Sequence, residues 1–188
     1  MEPNVLLIGN FLSASTGALT VGEELAERLR ATGRVVITTS AKRSPVSRLF
    51  DMIATVVMQR RLYGVAHVDV YSGRAFLGAE IVCALLRLLG KPYGLALHGG
   101  NLPAFGRRWP TRMRRFLQSA SVVTAPSRYL LEHMQPYGVN LQLVPNAVDL
   151  GAHTFRTRER NDERPCAQQS SRPRGTPPSP GPRRTWLD

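Results

Sequence analysis

The sequence predicts an α/β domain: a three-layer sandwich built on a mainly parallel sheet. Three observations point there. Short, largely apolar runs of four to seven residues recur six times over residues 1–150. Between them lie segments whose apolar residues fall at helical spacing, as βαβ crossovers require. Almost every run is continuous instead of alternating, which suits strands buried on both faces.

In chain order, Val5-Leu6-Leu7-Ile8 is a strand ending at Gly9. From Ala18 the apolar positions Leu19, Val21, Leu25, Ala26 and Leu29 mark a helix that Gly33 stops. Val35 to Thr39 is the second strand. Ser44-Pro45 opens a helix with proline where its missing N–H costs nothing, and Val46, Leu49, Phe50, Ile53, Val56 and Val57 give it an apolar face. Val65 to Tyr71 is a strand, Phe76 to Leu89 a helix closed by Gly90, and Tyr93 to Leu97 a strand. Pro110 to Gln118 reads as a short basic helix, Ser121 to Ala125 as a strand, Ser127 to Gln135 as a helix and Leu141 to Val144 as the sixth strand. Such an alternation is Rossmann-like, and ligands of these sheets sit beyond the carboxyl ends of the strands.

Composition changes at Leu150. Eight arginines and six prolines fall in the last 38 residues, without apolar periodicity. A domain over residues 1–155 and a disordered Arg/Pro-rich tail over 156–188 are expected. The tail reads as a basic partner-binding arm, or as a solvated stretch or unselected translation. The chain carries 25 Lys plus Arg against 13 Asp plus Glu, a net charge of +12. That balance favours anionic partners: nucleotides, nucleic acid or anionic lipid. Cys83 and Cys166 form no CxxC pair, so neither a disulfide framework nor a zinc site is expected. No stretch reaches the roughly 18 apolar residues of a spanning helix. Val5 to Ile8 is too brief for a signal peptide and follows Glu2. The reading is a cytoplasmic chain.

The strand-end loops carry the chemistry. Gly9 to Gly17 holds Ser13, Ser15 and Thr16, small residues that let backbone N–H groups approach an anion at a helix N-terminus. The spacing is neither GxGxxG nor a P-loop. The alternative is a helix cap at Ser15 or Thr16. After the fourth strand, Leu97-His98-Gly99-Gly100-Asn101 puts an imidazole beside backbone that a ligand can approach. His98 can serve as a base, bond a sugar hydroxyl, or simply satisfy a turn. Ser127 reads as a helix cap. Leu143-Val144-Pro145-Asn146-Ala147-Val148-Asp149 stops a strand at proline and adds turn-forming Asn and Asp.

Val144-Pro145-Asn146-Ala147-Val148-Asp149 resembles the (V/I)-P-N-G-V-D segment of family-4-like glycosyltransferases of the GT-B fold, with Ala147 in place of the usual glycine. Thr124-Ala125-Pro126-Ser127 is similar to that family's V-x-(A/V)-x-S segment. His98 matches, by position, the histidine that faces the reacting sugar. The loop through Ser15, Thr16 and Gly17 occupies the place of the family's glycine-rich first loop, with one glycine where two are common. The resemblance spans about residues 4–150. It implies the N-terminal, acceptor-side domain of an enzyme that moves a sugar from a nucleotide-sugar to a hydroxyl acceptor, a glycan or lipid-linked sugar, typically without metal or resident cofactor. It makes His98 the catalytic candidate and Ser15, Thr16, Gly17, Gly99, Asn101 and Asn146 the substrate-binding candidates.

The family's donor domain carries a basic pair and an E-x7-E segment; neither follows Leu150, and Glu159 and Glu163 stand at the wrong spacing. A chain truncated before that domain, and inactive alone, is the expectation. Arg107-Arg108-Trp109 through Arg115-Phe116, with Arg43, Arg48, Arg60 and Arg61 around the apolar second helix, suits peripheral contact with an anionic membrane at its inner face. A solvated helix face is the alternative. Two rival functions stand beside transfer. One is a non-catalytic Rossmann-like ligand-binding module. The other is a basic nucleic-acid-binding protein, against which stands the lack of any helix-turn-helix, zinc-finger or ribonucleoprotein-type motif.

Overall fold

The computed structural model describes residues 3–11 and 20–146. Ser15, Thr16 and Gly17, the end of the Val144–Asp149 motif from Ala147 onward, and the tail over 156–188 lie outside the described residues. The elements in order are β1 (Val5–Ile8), α1 (Val21–Ala31), β2 (Val36–Thr39), α2 (Pro45–Met58), β3 (Val65–Val70), α3 (Arg74–Leu88), β4 (Tyr93–Leu97), α4 (Leu102–Arg108), α5 (Pro110–Gln118), β5 (Val122–Ala125), α6 (Arg128–Met134) and β6 (Leu141–Leu143). A 3-10 turn at Gln135–Tyr137 follows α6. The six strands form one sheet in the order β2-β1-β3-β4-β5-β6, and every pair is parallel.

Local chemistry sets most boundaries. Ser127 caps α6 by accepting from the Leu130 N–H at 3.3 Å, as its sequence context predicts. Pro45 opens α2 directly after Ser44. For α1 the cap differs from expectation: it is Thr20, not Ser15 or Thr16. Thr20 Oγ1 accepts from the Glu23 N–H at 3.3 Å, and the Glu23 carboxylate accepts from the Thr20 N–H at 2.7 Å. This reciprocal capping box satisfies two backbone donors at once. Helix α4 is a second departure, because Gly99-Gly100-Asn101 and Pro103 read as loop. Pro103 instead sits in the first turn, where proline is tolerated. Pro110 separates α4 from α5, since the residue before it, Trp109, is driven out of the helical region (φ −132°, ψ 60°).

The sheet is covered unequally. Leu6, Ile8, Val68, Val70, Leu95, Leu97, Val123 and Ala125 point into one large core with Val56 of α2, Phe76, Val82 and Leu86 of α3, Met113 and Leu117 of α5, and Leu130 and Met134 of α6. Phe76 anchors it, with ring centroids 4.7 Å from Phe105 and 4.8 Å from Phe116. On the opposite face a small cluster joins Val5 and Leu7 to Ala26, Leu25 and Leu29 of α1. The expectation that nearly every strand is buried on both faces therefore needs correction. Only β1 is buried throughout. Strands β3 and β5 alternate between buried and half-buried residues, because among the described residues α1 is the single helix packed on their other face.

Candidate active site

The chain leaves β1 for β2 on one side and returns from β2 to β3 on the other. The carboxyl ends of β1 and β3 therefore bound the crevice where connections diverge, the usual ligand position in such a sheet. Pleating decides what reaches it. In β3, Ala66, Val68 and Val70 face the large core, so His67 and Asp69 face the side of α1. Asp69 pairs in register with Ala96 of β4, which carries His98 two residues on, past the strand end.

Asp69 and His98 meet there. His98 Nε2 lies 3.1 Å from Asp69 Oδ1, and His67 Nε2 lies 3.4 Å from the same oxygen. An ionised carboxylate only accepts, so the facing nitrogen of His98 carries the proton and donates. Nδ1 is then the ring atom left for chemistry; it has no hydrogen-bond partner among the described residues. The side chain is 10% exposed and its ring stacks on Tyr71, with centroids 5.1 Å apart and planes inclined by 21°. The other carboxylate oxygen points at Gly9 and Gly22. A Cβ at Gly9 would collide with it, and one at Gly22 would stand 3.2 Å away. Glycine at the end of β1 is what admits the carboxylate.

The electrostatics follow from burial and pairing. Burial alone would raise the Asp69 carboxyl, but hydrogen bonds from His67 and His98, together with their charge, outweigh it and hold Asp69 below the ordinary carboxylate value. Tyr71 is pushed up to about 12, first by burial and then by the Asp69 charge. It is a neutral hydroxyl at any physiological pH.

His67, Asp69 and His98 line a cavity of about 160 Å³ together with Val21 and Gly22 of α1, Ala96, Thr124 and Asn146. His98 and Asn146, some fifty residues apart in the chain, thus share one site. Gly99 and Asn101 do not line it. They sit on the exposed rim beyond His98, Gly99 with φ +87°, and Asn101 caps α4 without a side-chain hydrogen bond. Asp69 and His67 escaped the sequence reading; the signal for them is two ionisable residues at alternate positions inside Val65-Ala66-His67-Val68-Asp69-Val70. Among the described residues no group of three is arranged to hold a metal ion.

The basic cluster lies elsewhere, in an open groove of about 730 Å³ between α3 and α5. Part of it is structural. Arg112 forms a two-pronged pair with Glu80, with Nε at 2.8 Å, and Arg108 sits 5.8 Å over the Trp109 ring. No helix of the described residues is long and apolar enough to cross a membrane.

Comparison with known proteins gives one finding. Residues 18–152 match the family described as Glycosyltransferase Family 4. No curated protein matches the chain.

Proposed function

The chain belongs to glycosyltransferase family 4, and from that premise we propose that its sheet-edge cavity is the acceptor-side half of a sugar-transfer site. The donor is a nucleotide-sugar, acting as co-substrate, and the acceptor is a hydroxyl of a glycan or lipid-linked sugar. One observation carries the reading: the Asp69–His98 pair and Asn146 converge on one cavity at the carboxyl edge of the sheet. Asp69 holds the imidazole in the tautomer that leaves Nδ1 unprotonated, so His98 accepts a hydrogen bond from a reacting or neighbouring sugar hydroxyl. Asn146 offers an amide to a second hydroxyl. Gly99, Asn101 and the Ser15-Thr16-Gly17 stretch are the further substrate contacts of this reading. No resident metal or cofactor enters it.

The test is a titration of the purified chain, followed by the His98 ring signals in NMR. The panel holds uridine and guanosine diphosphate sugars and simple alkyl glycosides. Glycosides should shift the His98 signals, and Asp69→Asn should weaken their binding. A His98 ring that stays silent to every glycoside overturns the reading. Affinity for nucleotides alone would point to the non-catalytic module. Salt-steep binding to DNA or RNA, lost on removing residues 151–188, would point to the nucleic-acid reading.

The same reading sets the chain peripherally on an anionic, inner membrane face. Val46, Phe50, Met58 and Leu62 are 65%, 68%, 79% and 59% exposed, and Arg43, Arg60 and Arg61 flank them. Sedimentation with phosphatidylcholine vesicles should rise when phosphatidylglycerol is added; no dependence on the anionic lipid removes this part.

A further inference from the structure

Helices α2 and α3 part at the carboxyl edge of the sheet to leave a second cavity, of about 380 Å³. Its wall is hydrocarbon, from Leu49 and Met52 of α2, Leu77 and Val82 of α3, and Ile8 and Val68 of the sheet. Polar and cationic residues also line it: Arg48, Arg74, Tyr71 and Asp69. The cavity thus combines an apolar wall with two arginines, and Asp69, whose carboxylate orients His98, is among its lining residues.

Three features fit a ligand, and the first two serve no evident structural need. Gly78 lies inside α3, where glycine is the least favourable residue apart from proline. A Cβ there would make only ordinary contact, 3.9 Å from Leu49 Cδ1. Close helix packing thus does not demand glycine; the cavity is what its missing side chain leaves open. Arg74 is exposed and forms no hydrogen bond or ion pair with any described residue. Arg48 is held in place by the Lys42 and Arg43 carbonyls, at 2.9 and 3.2 Å, and by Asn10 Oδ1 at 2.9 Å. None of these partners is charged. Asp69, the one acid among the described residues of the lining, is already engaged by two histidines, so the cleft keeps two cations for an outside anion.

We propose that this cleft binds an alkyl phosphate: a hydrocarbon chain between α2 and α3, with its phosphate at Arg74 and Arg48. The volume falls at the lower end of small-molecule sites, about 300–1,000 Å³. Asp69 lines both this cleft and the His98 cavity, so the acceptor of the sugar-transfer reading becomes a hydroxyl of a sugar linked to lipid through phosphate. Only the word acceptor rests on that reading; the binding site does not.

The experiment uses dodecyl phosphate below its micelle concentration, measured by calorimetry on the full chain. Saturable one-to-one binding is expected, at least tenfold tighter than that of inorganic phosphate or dodecyl maltoside. Gly78→Leu should fill the cleft and lower the affinity at least tenfold while the melting temperature holds or rises. Arg74→Ala, at an exposed position that folding does not need, should reduce dodecyl phosphate to the level of the neutral maltoside. The inference is overturned if Gly78→Leu binds as the wild type does, if inorganic phosphate binds as tightly as dodecyl phosphate, or if binding does not saturate. The His98 response to short glycosides, read in the same Gly78→Leu protein, separates the two proposals. A retained His98 response with no dodecyl phosphate site leaves the transfer reading standing and removes this one.

Discussion

Asp69 is a carboxylate with 6% of its side chain exposed, and a charge so placed persists only when paired and hydrogen-bonded. His67 and His98 supply the pairing, and their hold on the ionised form gives a pH signature. A carboxyl whose folded value lies below its unfolded one, about 3.9, stabilises the fold above that unfolded value. The contribution is lost as pH falls through the lowered folded value. Urea unfolding should therefore show wild-type stability declining below about pH 4 more steeply than that of Asp69→Asn, which lacks the titration. Parallel slopes would mean that the pair contributes nothing. Gly9→Ala tests the same spot from the neighbouring strand. Its methyl would enter the space of the Asp69 carboxylate, and overpacking of this kind costs about 1–3 kcal/mol. The His98 ring should also lose its Asp69 partner, which NMR detects as shifted His98 ring signals. Wild-type stability in Gly9→Ala would show that the carboxylate has room to move.

At the scale of elements, helix starts reward the same scrutiny. Thr20 and Glu23 close α1 reciprocally, so Thr20→Ala should cost about 1 kcal/mol. Thermal melts should register that as a drop of a few degrees, about 2–8 °C, and an unchanged midpoint would mean the cap is redundant. The cap was legible in principle, since Thr20-Val21-Gly22-Glu23 has capping-box spacing, but the run of hydroxyl residues before it offered competing candidates. Long periodic segments and glycine-terminated helices were readable throughout, as for α2 and α3. Helix α4 was not, because seven residues with two prolyl or glycyl breaks carry too little periodicity to outweigh turn chemistry. The site divides the same way. His98 and Asn146 stand at strand ends and announce themselves by neighbouring glycine and proline. Asp69 sits inside a strand whose apolar character hides it. Only the pleat, and the pairing of β3 with β4, reveal that it faces His98.

Across the whole molecule, the sheet divides the interior into two unequal cores. The parallel topology was readable from the alternation of strand and helix, whereas the unequal sharing of helices between the two faces depends on crossover geometry that no local pattern encodes. Leu7 belongs to the small cluster under α1, while Leu97 belongs to the large cluster on the other face. Strand β3 lies between their strands, so about 10 Å of sheet, two strand spacings, separates them laterally. Both side chains are buried, at 1% and 0% exposure. Each change to alanine should cost about 2–5 kcal/mol, through lost transfer energy and the cavity left behind. They share no cluster, so their costs should add to within about 0.5 kcal/mol in the double variant. The second loss would exceed what a marginally stable domain has left, so the double variant is measured with a stabilising osmolyte present in all four proteins. Urea unfolding of the wild type, the two single variants and the double variant gives the coupling directly. A coupling above about 1 kcal/mol would show that the sheet transmits packing strain from one core to the other, in which case a substitution under α1 would disturb the large core as well as the Asp69–His98 edge.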